Sequence, residues 1–446
     1  MVRQRESHRL TRRSLLTAAL GVGLLACGRS AAPSPTPAPA SPAPAHASSA
    51  TAAAPSTSTP PPSSARAASP TMTIASSPSA GVSPTPAPPT ATPAPRGPVP
   101  VTVTTFLSNL EVPWDIAFAP DGRIFITERP GRLRVVIQNQ LRPEPVATLS
   151  DVAATGEGGL LGLALDPDFT HNHYLYLYYT THTANGTLVN RVVRFTEHDN
   201  QLTDPTVLLD GIPGAVLHNG GRIAFGPDGK LYITVGDARN PNAAQDLRSP
   251  SGKILRINPD GSIPSDNPFP NSPIWSYGHR NPQGLAWRPG TGQLYETEHG
   301  PSGEFGLYAH DELNLIEPGK NYGWPAYASD VRISGGVDAV PPLLDSGNQT
   351  WAPSGMTFVS HDRIPQWQGS LLFAGLRGEG LWRVTLSADG RRVTGTEVLY
   401  QGQFGRLRTV VEGPDGTLSV LTNNRDGRGR PQQGDDRVLL IKPAGS

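Results

Sequence analysis

From about residue 100 onward the chain repeats one short phrase: a Pro-Asp-Gly-like turn, then a strand of alternating apolar residues. Pro120-Asp121-Gly122 leads into Arg123-Ile124-Phe125-Ile126-Thr127, and Asp166-Pro167-Asp168 leads into Tyr174-Leu175-Tyr176-Leu177. Pro227-Asp228-Gly229 leads into Lys230-Leu231-Tyr232-Ile233-Thr234, and Pro289-Gly290-Thr291-Gly292 into Gln293-Leu294-Tyr295. Trp367-Gln368-Gly369 leads into Ser370-Leu371-Leu372-Phe373, and Pro414-Asp415-Gly416 into Thr417-Leu418-Ser419-Val420-Leu421. Asp-Gly supplies the positive-φ residue that a tight hairpin demands. Helical periodicity is nearly absent. Six such phrases, mostly 45 to 62 residues apart, predict an all-β chain: a six-bladed β-propeller with four-stranded antiparallel blades over residues 99–446. A β-sandwich would not repeat one phrase six times. The longest stretch between phrases, 299–343, is expected to form loops on one face of the ring.

The preceding residues belong to no such unit. Arg12-Arg13 stands in Thr-Arg-Arg-Ser-Leu-Leu, a twin-arginine pattern, and an apolar run follows from Leu15 to Ala26. That run is too short for a membrane-spanning helix, which needs ~20 residues, but it fits the apolar region of a signal peptide. Leu24-Leu25-Ala26-Cys27 reads as a lipobox, so residues 1–27 are expected to be an export signal and Cys27 the lipidated residue. Cys27 is the only cysteine, so the remainder holds no disulfide. Residues 28–98 are almost entirely Pro, Ala, Ser and Thr. They have too little to bury to offset their ordering entropy and read as a disordered tether. The expected product is an exported domain, in the periplasm or at the cell surface, touching the membrane only through its lipid. With a formal net charge of zero and no basic stripe, nothing suggests a nucleic-acid partner.

Several residue patterns carry chemistry. His218-Asn219-Gly220-Gly221-Arg222 puts an imidazole beside two glycines, where a ligand can approach the backbone closely. This suits a general base, although a turn histidine bonded to backbone has the same pattern. In Gly278-His279-Arg280-Asn281-Pro282-Gln283, Arg280 can fork two N–H bonds onto a carboxylate or quinone oxygen, or pair with a structural carboxylate. In Arg406-Leu407-Arg408 the two guanidinium groups share one face of a strand. They call for an anion between them, or for acidic residues of a neighbouring blade.

The run Ser276 to Leu285, then Glu298-His299-Gly300-Pro301, Asp311-Glu312-Leu313-Asn314-Leu315-Ile316 and Asn321-Tyr322-Gly323-Trp324-Pro325, closely resembles in order and spacing the soluble aldose and glucose dehydrogenases that use pyrroloquinoline quinone (PQQ). Val112-Pro113-Trp114-Asp115 matches the family opening, with Trp114 read as blade packing, and the resemblance covers roughly residues 102 to 442. It implies oxidation of an aldose at C1 to the lactone, with His218 removing the hydroxyl proton while PQQ accepts hydride. Arg280 and Asn281 would contact the quinone, and Arg377, Arg406 and Arg408 its carboxylates; Arg377 stands where relatives have Lys. Glu157, His299 and Thr350 match positions beside the cofactor, Glu157 replacing a Gln. The carbonyls of Gly300 and Pro301 would hold a catalytic Ca²⁺ together with PQQ. Glu312 and Tyr322, the latter through its carbonyl, match a second, structural Ca²⁺ site.

Three departures stand out. A carboxylate at Glu157 would repel the negative charge of PQQ unless calcium or an arginine lies close. Some relatives carry an Asp before the catalytic His where this chain has Leu217, so another group must orient the imidazole. Residues 302–310 form a longer loop than in most relatives. The electron acceptor implied is a quinone or a small cytochrome, and the domain is expected to be a monomer. Two rival readings are a non-enzymatic propeller that binds carbohydrate or protein, and a calcium-dependent lactonase. The latter would need inward carboxylates where this chain offers mainly Arg, His and Asn.

Overall fold

The computed structural model describes residues 99–445; the predicted signal segment, the tether and Cys27 lie outside them. Six antiparallel sheets account for nearly all the regular structure. The first strands of the six blades are Pro113–Phe118, Leu160–Leu165, Ile223–Phe225, Pro282–Trp287, Pro353–Phe358 and Leu407–Glu412. Neighbouring blades meet around these strands in a closed ring. Five blades have four strands. In the first, the fourth is split into Gln140–Leu141 and Ala147–Thr148, both paired with Arg132–Ile137. The expected six-bladed propeller is the fold observed.

The repeated phrase does one job throughout. In every blade it is the turn between the first strand and the second. The three Pro-Asp-Gly copies are near-identical: Gly122, Gly229 and Gly416 have φ of 86°, 69° and 77°. Each donates its N–H to a carbonyl three residues earlier, at 3.0, 2.9 and 2.9 Å. The preceding Asp accepts the N–H two residues on, at 3.0, 3.1 and 3.0 Å.

Because strand faces alternate, apolar residues of adjacent blades meet face to face, and a cluster fills each gap between blades. Phe125, Leu133, Leu163 and Leu177 pack between the first and second; Tyr176, Tyr178, Ile233 and Leu255 between the second and third; Tyr232, Ile254, Leu285 and Leu294 between the third and fourth. Tyr295, Leu313, Phe358 and Phe373 fill the next gap, then Leu372, Leu381, Val410 and Val420. The ring is closed by Val101–Leu107, which pairs antiparallel with Val438–Pro443 and completes the last blade with residues from the other end of the domain. Ile116, Ile126, Leu421 and Val438 pack across this seam. Trp114 is buried, as expected, with Arg222 stacked on its ring at 4.2 Å.

Near the axis the first strands crowd together. A Cβ at Gly162 would collide with the Gly221 carbonyl oxygen of the next blade, and one at Gly284 would meet the Ser354 carbonyl oxygen at 2.5 Å. Overpacking a rigid site usually costs about 1–3 kcal/mol. Gly162→Ala is therefore expected to lower the urea midpoint by that order without changing the slope of the transition. An unchanged midpoint would show that the blades have room to move apart.

Candidate active site

The phrase turns occupy one end of the ring, so the residues just before each first strand and just after each second strand gather at the other. There they line a cavity of about 640 Å³. Arg129 follows the second strand of the first blade, and Glu157 precedes the second blade. His218 and Arg239 flank the third, and Arg280 and His299 the fourth. Thr350 and Arg377 flank the fifth, while Arg406, Arg408, Asp426 and Arg428 come from the sixth. Of the residues singled out in the sequence, Glu157, His218, Arg280, His299, Thr350, Arg377, Arg406 and Arg408 come together here.

The cavity is strongly cationic. Seven arginines face three carboxylates. Each carboxylate is engaged: Glu157 by Arg428 at 2.6 Å, Asp426 by Arg406 at 2.8 Å, Glu304 by Arg280 at 2.9 Å. Arg129, Arg239, Arg377 and Arg408 have no carboxylate partner among the described residues. Arg408 is buried, bonded only to the neutral oxygens of Gln283, Ser354 and Asn423, and desolvation pushes its guanidinium down to about 9. In the Arg406–Arg408 pair, Arg406 has an acid, from its own blade rather than a neighbouring one, and Arg408 has none. Burial acts to raise the Glu157 carboxyl, but the His299 charge, Arg428 and the His218 N–H together outweigh it and hold it at about 2. The arginine that a carboxylate at this position requires is thus present.

His218 sits with φ of 63°, a conformation rare outside glycine. Its Nδ1 lies 2.7 Å from Oδ1 of the fully buried Asp237. Asp237 is fixed in turn by Trp324 Nε1–H at 2.8 Å and by the Arg239 N–H at 2.8 Å. A carboxylate on Nδ1 selects the tautomer protonated there, leaving Nε2 as the basic nitrogen. Nε2 has no protein partner among the described residues. Asp237 is therefore the orienting group that Leu217 could not be, and the sequence reading missed it. The signal was present in the repeat: Arg129, Asp237, His299 and Arg377 all lie within two residues of the end of a second strand.

Arg280 donates to the His299 carbonyl at 3.1 Å, and its Nε is buried without a partner. Burial pushes the His299 imidazole down to about 3, with the Arg280 and Arg408 charges adding to the shift, and its Nε2 is likewise without a partner. Two buried nitrogens with unused hydrogen-bonding capacity, beside four arginines without acids, are what a polyanionic ligand would satisfy. Asn281 departs from expectation. It does not line the cavity: its Oδ1 accepts the Gly220 N–H at 3.1 Å, and its Nδ2 lies 3.4 Å from His299 Nδ1. With both ends of the amide engaged inside the fold, it ties the His218 loop to His299 from behind.

The metal candidates also regroup. Gly300 and Pro301 do not line the large cavity; they share a small void of about 10 Å³ with Glu312 and Tyr322. The Pro301 carbonyl already accepts the Ala309 N–H at 2.9 Å. Beside this void lies a carboxylate cluster that sequence reading did not assemble. Asn314 Nδ2 donates to Glu296, Glu298 and Glu312 at 3.1, 3.3 and 3.0 Å, and all three are buried. Burial and the neighbouring Glu298 charge raise Glu296 and Glu312 well above the ordinary value. Glu296 Oε1, Asn314 Oδ1 and Ser329 Oγ are buried oxygens without partners. These are hard oxygen donors in uncompensated excess, the set that suits a calcium ion.

The sequence profile of the glucose/sorbosone dehydrogenase family matches residues 110–439. The aldose sugar dehydrogenase of Escherichia coli is 35% identical over 337 residues, covering 71% of this chain and 89% of the relative. Quinoprotein glucose dehydrogenase B of Acinetobacter calcoaceticus is 32% identical over 425 residues, covering 74% and 87%. The PQQ-bound form of the aldose sugar dehydrogenase from Streptomyces coelicolor superposes with a TM-score of 0.68 at 38% identity, covering 77% of this chain and 99% of that one.

The buried cluster makes stability depend on pH. A carboxyl raised in the folded protein keeps a proton that the unfolded chain has released above its ordinary value of 4.5. Folding stability in chelator therefore falls as pH rises from there. Glu296→Gln removes part of that dependence, so its urea midpoint should change less than the wild type's between about pH 5 and pH 8. Equal slopes would show that the Glu296 charge is balanced within the fold.

Proposed function

The chain belongs to the glucose/sorbosone dehydrogenase family, and we propose that it oxidises aldose sugars at C1 to lactones, with PQQ as cofactor, Ca²⁺ as its metal and a quinone or small cytochrome as external acceptor. The observation that carries the reading is the coincidence, in one cavity, of an Asp-oriented histidine with arginines that lack acids. Arg377, Arg408, Arg129 and Arg239 supply charge for the carboxylates of PQQ, with Arg406 beside them. Arg280, with an unused Nε, is placed to donate to a quinone oxygen as charge develops there. Bound PQQ supplies a two-electron acceptor, and Ca²⁺ a Lewis acid that polarises it. The chain's own part is acid–base and electrostatic. His218 Nε2 takes the C1 hydroxyl proton, and Asp237 steadies the resulting imidazolium. Glu296, Glu298 and Glu312, with Tyr322 alongside, offer an oxygen-rich pocket for a second, structural calcium, and the carbonyls of Gly300 and Pro301 would hold the catalytic calcium together with PQQ.

The rivals fit less well. A binding module has no use for a buried His–Asp pair beside arginines without partners. A lactonase needs carboxylates facing the axial cavity, and here each of those three is taken by an arginine. We propose further that Cys27 carries a lipid and that the domain acts outside the cytoplasm as a tethered monomer.

Loaded with PQQ and Ca²⁺, the protein is expected to reduce an artificial dye with aldoses, and to stop when chelator is added. His218→Ala should lower kcat by about 10²–10⁴-fold, the usual contribution of a general base, while PQQ still quenches the protein's fluorescence at the same concentration. Loss of quenching would instead make His218 a binding residue. Arg408→Gln should weaken PQQ binding by about 10–100-fold, in line with ~1.5–3 kcal/mol for a charge-assisted hydrogen bond; an unchanged Kd removes Arg408 from the site. Cys27→Ala should release the protein from the membrane fraction, and a variant that stays bound excludes the lipid anchor.

A further inference from the structure

The loop after Pro301 has no part in the chemistry above, yet it forms one wall of the cavity, which Ser302, Gly303 and Glu304 line. It closes on itself. Ser302 bridges to Tyr308, Gly303 N–H donates to the Leu307 carbonyl at 2.8 Å, and Leu307 N–H to the Glu304 carbonyl at 3.0 Å. Phe305 lies inside it at φ of 55°, in the left-handed region that bulky side chains avoid. A backbone held there against local preference is a common mark of a functional loop.

That conformation sends neighbouring side chains to different places. Phe305 and Tyr308 emerge at the surface, 56% and 66% exposed, the two most exposed large apolar side chains among the described residues. Phe305 sets its ring edge-on to Trp324 at 5.7 Å, and Trp324 holds Asp237, which holds His218. Glu304 instead reaches the cavity. Its Oε1 accepts from Arg280 Nη2 at 2.9 Å and its Oε2 from the Ser302 N–H at 2.6 Å. Although burial acts to raise it, Arg280 and the Ser302 N–H hold this carboxyl at about 2, so it is ionised at any working pH.

A carboxylate accepts about four hydrogen bonds, and protein donors take two of these. A rigid acceptor with spare capacity and a guanidinium donor attached to it, with two exposed aromatic side chains on the same loop, match the surfaces of a pyranose: adjacent hydroxyls on its edge, C–H groups on its face. We propose that Glu304, flanked by Phe305 and Tyr308, is a specificity-determining element that reads the sugar's hydroxyls away from C1. This rests on the cavity being an aldose dehydrogenase site, as proposed above. A purely structural counter-ion for Arg280 would not need the exposed rings. An anion aimed at the cofactor would work against the cationic set that receives it.

The test compares wild type, Glu304→Gln, Glu304→Ala and Tyr308→Ala, each loaded with PQQ and Ca²⁺, on aldoses epimeric at single carbons. Glu304→Gln keeps the size and one acceptor. It is expected to raise KM for the preferred epimer about tenfold, about 1.4 kcal/mol, and to bring the kcat/KM ratios between epimers towards one. Glu304→Ala should do so more strongly, and Tyr308→Ala should raise KM for all pyranoses. The Kd for PQQ, read by fluorescence quenching, should stay within twofold of wild type in the Glu304 variants. Unchanged epimer ratios overturn the assignment even if KM rises. A changed PQQ Kd with unchanged ratios overturns it as well, and places Glu304 on the cofactor. If the loaded wild type oxidises no aldose, the functional reading fails separately, and saturation-transfer NMR of the same epimers decides the role of Glu304. Discrimination lost in Glu304→Gln supports it; discrimination kept, or no sugar binding by the wild type, rejects it.

Discussion

Closure of the ring is the constraint on which everything else rests. The last blade is completed by Val101–Leu107 pairing with Val438–Pro443, so strands from opposite ends of the domain must meet before the cavity exists. Closure leaves few sheet edges exposed and presses the first strands together until glycine is required at Gly162 and Gly284. It also brings loops from all six blades to one end. No blade owns the site: Asp237 and His218 come from the third, Arg280 and His299 from the fourth, Arg406 and Arg408 from the sixth.

The second theme is uncompensated charge. A folded chain normally pairs or neutralises what it buries. This one keeps Arg408 buried among neutral oxygens, leaves nitrogens of Arg280 and His299 without partners, and packs Glu296, Glu298 and Glu312 around one amide. The excess is positive in the large cavity and negative in the small one beside it. An anionic cofactor and a divalent cation would compensate the two together, which ties the stability of the fold to the ligands that make it active. The loop from Ser302 to His310 sits at the border of the two regions, with Glu304 on Arg280 and Phe305 against Trp324.

What the sequence made legible follows from what repeats. Turn chemistry is local, so Gly122, Gly229 and Gly416 marked their turns correctly, and the count of phrases fixed the count of blades. His218, Arg280, Arg406 and Arg408 were visible because dense motifs stand out from the repeat. Asp237 was overlooked because Val235-Gly236-Asp237 looks like an ordinary strand end, although its place after a second strand is equivalent to that of His299. The family resemblance implied that Asn281 contacts the quinone; the fold turns its amide inward, where Gly220 and His299 engage its two ends.

The chain by itself determined the number of blades, the hairpin turns, the all-β character and most of the residue types the site would use. These depend on interactions between residues close in sequence, or on patterns that recur at a fixed period. Only the tertiary structure decided which residues share a space: that Asp237 serves His218, that Arg406 is paired while Arg408 is not, and that Gly300 and Pro301 border the Glu312 pocket rather than the large cavity. Those outcomes depend on how loops from different blades meet across the end of the ring. No local pattern encodes that distance, because it is set by the packing of all six blades at once.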